Sequence, residues 1–268
     1  MTTSDDGTGD DASPAALLAL AVAAADAAGR HLAPRSGTAT VTATKSSVTD
    51  LVTADDTQTE QLIRDVIGRA RAYDAFLGEE LGAAAPTGAA PTRVRWVIDP
   101  IDGTVNYVYG LPAWAVSIAA ERDGEVVAGV VEVPLLRRRY TATQGGGAFC
   151  NGVRLHASRC AALEQALLAT GFSYEAARRA EQGVAVARLL PVVRDIRRLG
   201  AAALDLCLLA AGEVDCFYER GIGEHDRAAG LLIAREAGAV TAVEDDLTWG
   251  AAPAVAGAFH EALRAAGA

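Results

Sequence analysis

Between residues 93 and 133 three segments follow one another, RVRWVID, WAVSIAA and EVVAGVVEV, each with the β-branched and aromatic density of a strand. Asp123-Gly124 between the last two is hairpin chemistry. RYTAT and GAFC extend the meander, and Asn151-Gly152 signals a further hairpin into VRLHAS. Helical periodicity precedes these strands. Ser13 can cap a helix opening on Pro14, with Leu17, Leu18, Ala21 and Val22 on one face and a stop at Gly29 and Pro34. A second helix, from about Asp56 to Arg71, repeats Leu62, Ile63, Val66, Ile67 and Ala70, and Glu60 lies in its first turn near the positive end of the dipole. After VRLHAS the chain alternates: ALLAT, a helix near 175–190, DIRRL, the helix AAALDLCLLAAG, DCFYE, the helix DRAAGLLIAREAG, AVTAV and a terminal helix near 258–265. The fold class is therefore α/β in layers, α+β in its meandering first half.

At 268 residues and 51% hydrophobic, the chain can bury a large core as one domain or two joined halves. The expected division is a disordered acidic tail over 1–12, a half over 13–150 and a half over 151–268. A formal net charge of -10 argues against nucleic acid and anionic membrane as partners. A chain this acidic needs bound cations to handle phosphate esters. Cys150, Cys160, Cys207 and Cys216 lack CxxC spacing and read as structural. The apolar run 15–25 follows acidic rather than basic residues and is interrupted by Asp26, unlike a signal peptide. A cytoplasmic protein with no transmembrane span is the expectation.

The segment WVIDPIDGTVNY, 96–107, ends a buried strand at Asp99, where Pro100 cannot continue the ladder and Asp102-Gly103 turns the chain. Two carboxylates then protrude together. At about 4 Å they repel by roughly 1 to 4 kcal/mol, and a divalent cation between them reverses the sign. Taken alone, the same residues suit an ordinary acidic turn. FLGEE places Glu79 and Glu80 where another strand runs out, and EHDRAAG places Asp226 at a helix start. Singly, these equally suit a solvated loop and a plain N-cap.

Together, in this order, the three segments resemble the inositol monophosphatase family of magnesium-dependent, lithium-sensitive phosphatases, from about Lys45 to Gly238. The resemblance implies an α-β-α-β-α sandwich. It also implies two or three magnesium ions held by Glu79, Asp99, the Ile101 carbonyl, Asp102 and Asp226, an all-oxygen set that suits magnesium. Glu79, with the Asp56/Thr104 pair, would activate the attacking water without a phosphoenzyme; Asp55 would be a bystander. Substrate contacts fall on Asp102, Gly103, Thr104, Ala202 and Glu219, with Lys45, Glu80 and His225 as further possibilities. Ala201 stands where the family has Thr and His225 where it has Trp. His225 suits either a phosphate contact or proton donor, or simply a half-buried ring replacing another ring, and Gly223 opens the expected substrate mouth. The implied substrate is a small sugar or cyclitol monophosphate, such as inositol monophosphate, with histidinol phosphate or a monophosphate of a specialised pathway as the alternative. A homodimer is also implied. A catalytically silent binding protein on the same fold is the alternative of another class.

Overall fold

The computed structural model describes residues 12–44, 51–85 and 93–268. Lys45 and nearly all of the expected acidic tail lie outside them. The elements, in order, are α1 (Pro14–Leu32), β1 (Val41–Thr44), β2 (Leu51–Thr53), α2 (Ala54–Ala70), β3 (Ala75–Gly78), β4 (Gly82–Ala84), β5 (Val94–Asp102), α3 (Thr104–Tyr109), β6 (Ala115–Arg122), β7 (Glu125–Val133), β8 (Arg138–Thr143), β9 (Gly147–Cys150) and β10 (Val153–Arg154). There follow β11 (Leu167–Thr170), α4 (Ala176–Leu189), β12 (Asp195–Arg197), α5 (Ala202–Ala210), β13 (Cys216–Arg220), α6 (Glu224–Glu236), β14 (Val240–Glu244), β15 (Leu247–Ala251) and α7 (Ala256–Ala266).

An eight-stranded sheet runs β10-β9-β8-β7-β6-β5-β3-β4, antiparallel throughout except where β3 lies parallel to β5. A five-stranded sheet runs β12-β11-β13-β15-β14. Three apolar clusters fix the layers. Leu17, Ile63, Ile67, Trp96, Ile98 and Ile118 join α1 and α2 to one face of the large sheet. Val97, Val131, Tyr140, Leu206, Leu209, Phe217 and Leu232 bury α5 and α6 between the two sheets. Leu168, Leu189, Tyr218, Trp249, Phe259 and Leu263 seat α4 and α7 on the outer face of the small sheet. The layer order is α-β-α-β-α, as the resemblance implied.

Ser13 caps α1, its hydroxyl accepting from the Ala16 N–H at 3.2 Å, with Pro14 in the first turn. The helix does not stop at Gly29. It runs to Leu32, and Gly29 is a point of close approach, where a Cβ would meet Pro134 at 3.3 Å. With its 3-10 extension to Arg35, α1 is, contrary to expectation, long and apolar enough to cross a membrane by length and composition. Its face of Leu17, Ala21, Ala24, Ala25, Ala28 and Leu32 is instead buried in the core. Of VRLHAS only Val153 and Arg154 form a strand, against β9, and the Leu155 N–H donates to the Ala148 carbonyl at 2.8 Å. All four cysteines are free thiols, Cys207 and Cys216 buried and the other two half-buried.

Candidate active site

β5 does not end at Asp99. It continues through Pro100 to Asp102 with a one-residue bulge, since Asp99 faces Ser117 and Asp102 faces Ala115 on β6. The bulge matters because residues three apart on a regular strand point to opposite faces, and one extra residue returns them to the same side. Pro100, with no N–H to donate, sits in the unpaired stretch. Asp99 accepts from the Ile101 N–H at 3.0 Å and is 1% exposed. Asp102 accepts from the Ala202 and Ala203 N–H groups at 3.1 and 2.8 Å, so the N-terminus of α5 clamps it from the helical layer between the sheets. Gly103, at φ 88°, then turns the chain into α3 with Gly200 O only 3.0 Å from where a Cβ would stand.

Asp226 is the third residue of α6 and reaches back to accept from the Gly223 N–H. Oxygens of Asp99, Asp102 and Asp226 lie within 4.8 Å of one another. Burial, followed by the charges of Glu79, Asp102 and Asp226, holds the Asp99 carboxyl well above its usual range. Burial and Asp226 do the same to Asp102 against the pull of its two backbone donors. Asp226 is raised by burial and Glu79. Three crowded carboxylates, each driven toward its neutral form, are an oxygen donor set that a hard divalent cation would satisfy.

Glu79, Ile101, Gly103, Thr104, Ala202, Glu219 and His225 line the same cavity of about 450 Å³ as those carboxylates. Asp56 lies beneath it, fully buried, its Oδ2 accepting from the Thr53 N–H and hydroxyl, each at 2.7 Å. Its Oδ1 faces the Thr104 hydroxyl at 3.3 Å, and that hydroxyl also reaches the Ile101 carbonyl at 3.0 Å. Burial first, then Glu80 and Glu79, push Asp56 up to about 6. Burial and then Asp226 push Glu219 up to about 8. Asp55 is occupied elsewhere, accepting from the Tyr107 hydroxyl at 2.7 Å beside Arg35. The His225 ring lies over Gly223, where any Cβ would collide with it, and its Nε2 is 3.7 Å from Asp226 Oδ2. Gly223 and His225 are thus one arrangement: the glycine makes room for the imidazole rather than opening the substrate mouth.

One residue that positions the site has no signal in the local pattern. Glu60 is not in the first turn, because α2 opens at Ala54 and Asp55 and Asp56 occupy that turn; it lies further along the helix and is fully buried. Its Oε2 accepts from the Glu80 and Leu81 N–H groups at 2.8 and 3.2 Å, and its Oε1 holds Arg64 Nε at 2.9 Å. It therefore shapes the turn that carries Glu79. A Cβ at Gly78 would overlap this carboxylate. Gly78→Ala is expected to destabilise by about 3 kcal/mol in a urea melt, because a buried ion pair must move. Gly183→Ala, at an open helical position, is expected to be neutral or slightly stabilising in the same measurement.

The model of the inositol monophosphatase family matches residues 13–266. The inositol-1-monophosphatase of Mycobacterium bovis is 51% identical over 200 residues, covering 73% of this chain and 69% of that protein. The Nus factor SuhB of Salmonella typhimurium is 40% identical over 226 residues, covering 84% of each chain. The solved structure of Mycobacterium tuberculosis SuhB superposes with a TM-score of 0.82 at 42% identity, covering 96% of this chain and 98% of that one. A match across nearly the whole chain, joined to a carboxylate cluster of the required chemistry, identifies the chain as a member of the metal-dependent inositol monophosphatase family, a phosphoric monoester hydrolase.

Proposed function

We propose that the chain is a magnesium-dependent phosphomonoesterase acting on a small sugar or cyclitol monophosphate, inositol monophosphate among them. The observation that carries this reading is the convergence of Asp99, Asp102 and Asp226 within 4.8 Å, in a cavity that Glu79 and Ile101 also line. Glu79, Asp99, the Ile101 carbonyl, Asp102 and Asp226 would hold two or three magnesium ions. Bound magnesium supplies Lewis acidity, activating water and offsetting charge on phosphate and leaving oxygen. The chain's own residues do the rest. Thr104, donating to Asp56, can accept a proton from the attacking water, and the buried Asp56 carboxylate is the acceptor beyond it. Gly103 and Thr104, at the start of α3, face the same cavity as candidate donors to phosphate oxygens. Glu219, raised to about 8, is mostly a neutral acid at pH 7 and can donate to a substrate oxygen. No phosphoenzyme is needed.

A relative bearing the name Nus factor favours the second reading, a protein that works by binding partners. The complete carboxylate set supports the hydrolase. A magnesium-dependent phosphate-release assay over inositol, sugar and histidinol monophosphates tests it, with Asp56→Asn expected to lower kcat about a hundredfold on the best substrate. Silence across the whole panel would sink the substrate assignment. We further infer a homodimer in the cytoplasm, from the family resemblance and free thiols, to be checked by light scattering and fractionation.

A further inference from the structure

The helix that carries Thr104 has little to hold it on its own account. α3 is six residues long, opens on Gly103 with no side-chain cap and closes on Gly110, so both its ends sit on left-handed glycines, at φ 88° and 72°. A helix this short is unstable in isolation and takes its position from its contacts. Yet Thr104, its first residue, must stand within hydrogen-bond reach of Asp56 for the pair to handle a proton. The bond between them, at 3.3 Å, is long for a hydroxyl donor, which favours about 2.7 to 2.8 Å, and is too weak to fix the helix by itself.

A second link runs beside it. Thr104 and Tyr107 are three residues apart and share one face of α3, while Asp55 and Asp56 are neighbours in the first turn of α2. The Tyr107 hydroxyl donates to Asp55 Oδ2 at 2.7 Å, and Arg35 Nε stands 3.7 Å from the other oxygen of that carboxylate. The rest of Tyr107 is anchored independently. Its ring is fully buried and edge-on to Trp114, with centroids 5.1 Å apart, and its carbonyl accepts from the Gly37 N–H at 2.8 Å. With its ring packed and its hydroxyl bonded, the tyrosine is a strut of set length between the two helices. Neither Asp55 nor Tyr107 lines the cavity.

Resting on the phosphomonoesterase reading, we propose that Asp55 and Tyr107 are positioning residues: their hydrogen bond sets the spacing of α2 and α3 and so keeps the Thr104 hydroxyl on Asp56 while water is activated. Asp55 is then no bystander. Its carboxylate acts from outside the cavity, through the pair beside it.

Tyr107→Phe keeps the ring and its packing and removes only the hydroxyl. On the best ester of the phosphate-release panel its kcat is expected to fall about tenfold with KM within about twofold of the wild type, because a misplaced acceptor slows the step without weakening binding. Asp55→Ala is expected to match it. Asp55→Asn, whose amide oxygen still accepts from the hydroxyl, is expected to hold kcat within about threefold of the wild type. The deciding comparison makes the tyrosine change in Asp56→Asn protein. There Tyr107→Phe is expected to alter kcat by less than about twofold, since the acceptor that the strut serves is already gone. A merely structural tyrosine would cost the same factor in both backgrounds, and that result would overturn the proposal, as would a wild-type kcat in Tyr107→Phe. Amide hydrogen exchange across α3 gives a readout free of turnover. In Tyr107→Phe protein it is expected to quicken about tenfold over residues 104–109, with magnesium affinity by calorimetry within about twofold of the wild type. Should the wild type hydrolyse no ester while exchange still quickens, the hydrolase reading falls and the strut remains. Unchanged exchange overturns the strut whether or not the protein turns over an ester.

Discussion

Asp99→Asn is expected to lose activity by about a thousandfold or more and, in metal-free buffer at pH 8, to melt higher than the wild type. The two effects share one cause. Asp99 is 1% exposed, within 4.8 Å of two other carboxylates, and burial and those charges raise its pKa. Without a cation, its ionised form is a cost to the folded state. The amide keeps an oxygen for the Ile101 N–H, which donates to Asp99 Oδ1 at 3.0 Å, and removes the charge. A rise in melting temperature of about 5 °C follows. The gain should shrink toward pH 4, where the wild-type carboxyl is protonated anyway. Scanning calorimetry at pH 4 and pH 8, with and without magnesium, reads all of this. An Asn variant that melts lower than wild type in metal-free buffer at pH 8 would show that Asp99 is a structural carboxylate, not one held ready for a cation.

The residues of the candidate metal site stand out in the sequence because each sits where an element ends, and ends have signals. Ser13-Pro14, the Gly78-Glu79-Glu80 run, Asp102-Gly103 and the start of α6 are all punctuation that local chemistry dictates. What could not be read depends on pairing between distant segments. The bulge that turns Asp99 and Asp102 to one side is a matter of register between β5 and β6. The Glu60 clamp on the Glu79 turn spans 20 residues, and along the chain Glu60 looks like any acidic residue on the polar side of a helix. β1 and β15 were missed for different reasons. β1 is exposed along its whole length and has no buried face to give a period, while Trp249-Gly250-Ala251 is buried on both faces of a strand without alternation. Arg178, Arg198 and Arg220, which line the cavity, come from a helix start, a loop and a strand end, so nothing in one segment announces them together.

The metal-free protein is expected to lose stability as pH rises from about 5 to 8, and saturating magnesium to flatten or reverse that slope. The sign follows from which state binds more protons. Asp56, raised to about 6, and Glu219, raised to about 8, hold protons in the folded chain at pH values where the unfolded chain has released them. Between the unfolded value near 4 and the folded value, each such group makes stability fall with pH, by about 1.4 kcal/mol per unit. For Asp56 alone this amounts to on the order of 3 kcal/mol across its window. Asp123 and Asp195 have the opposite sign: Arg93 and Arg197 lower them, and the stability they lend is lost only as pH falls below about 4. The metal-free optimum should therefore lie near pH 5. Magnesium binds the ionised carboxylates, so its binding must release protons and tighten as pH rises. At a hundred times its dissociation constant it adds about 2.7 kcal/mol to a protein it does not bind when unfolded. Thermal melts at pH 5, 6.5 and 8, with calorimetric titration in two buffers of different ionisation enthalpy to count the protons, measure both halves. A metal-free melting temperature that climbs from pH 5 to pH 8, or magnesium binding that releases no protons to the buffer, would mean the buried carboxylates are already ionised without a cation, and the repulsion assigned to this site would not exist.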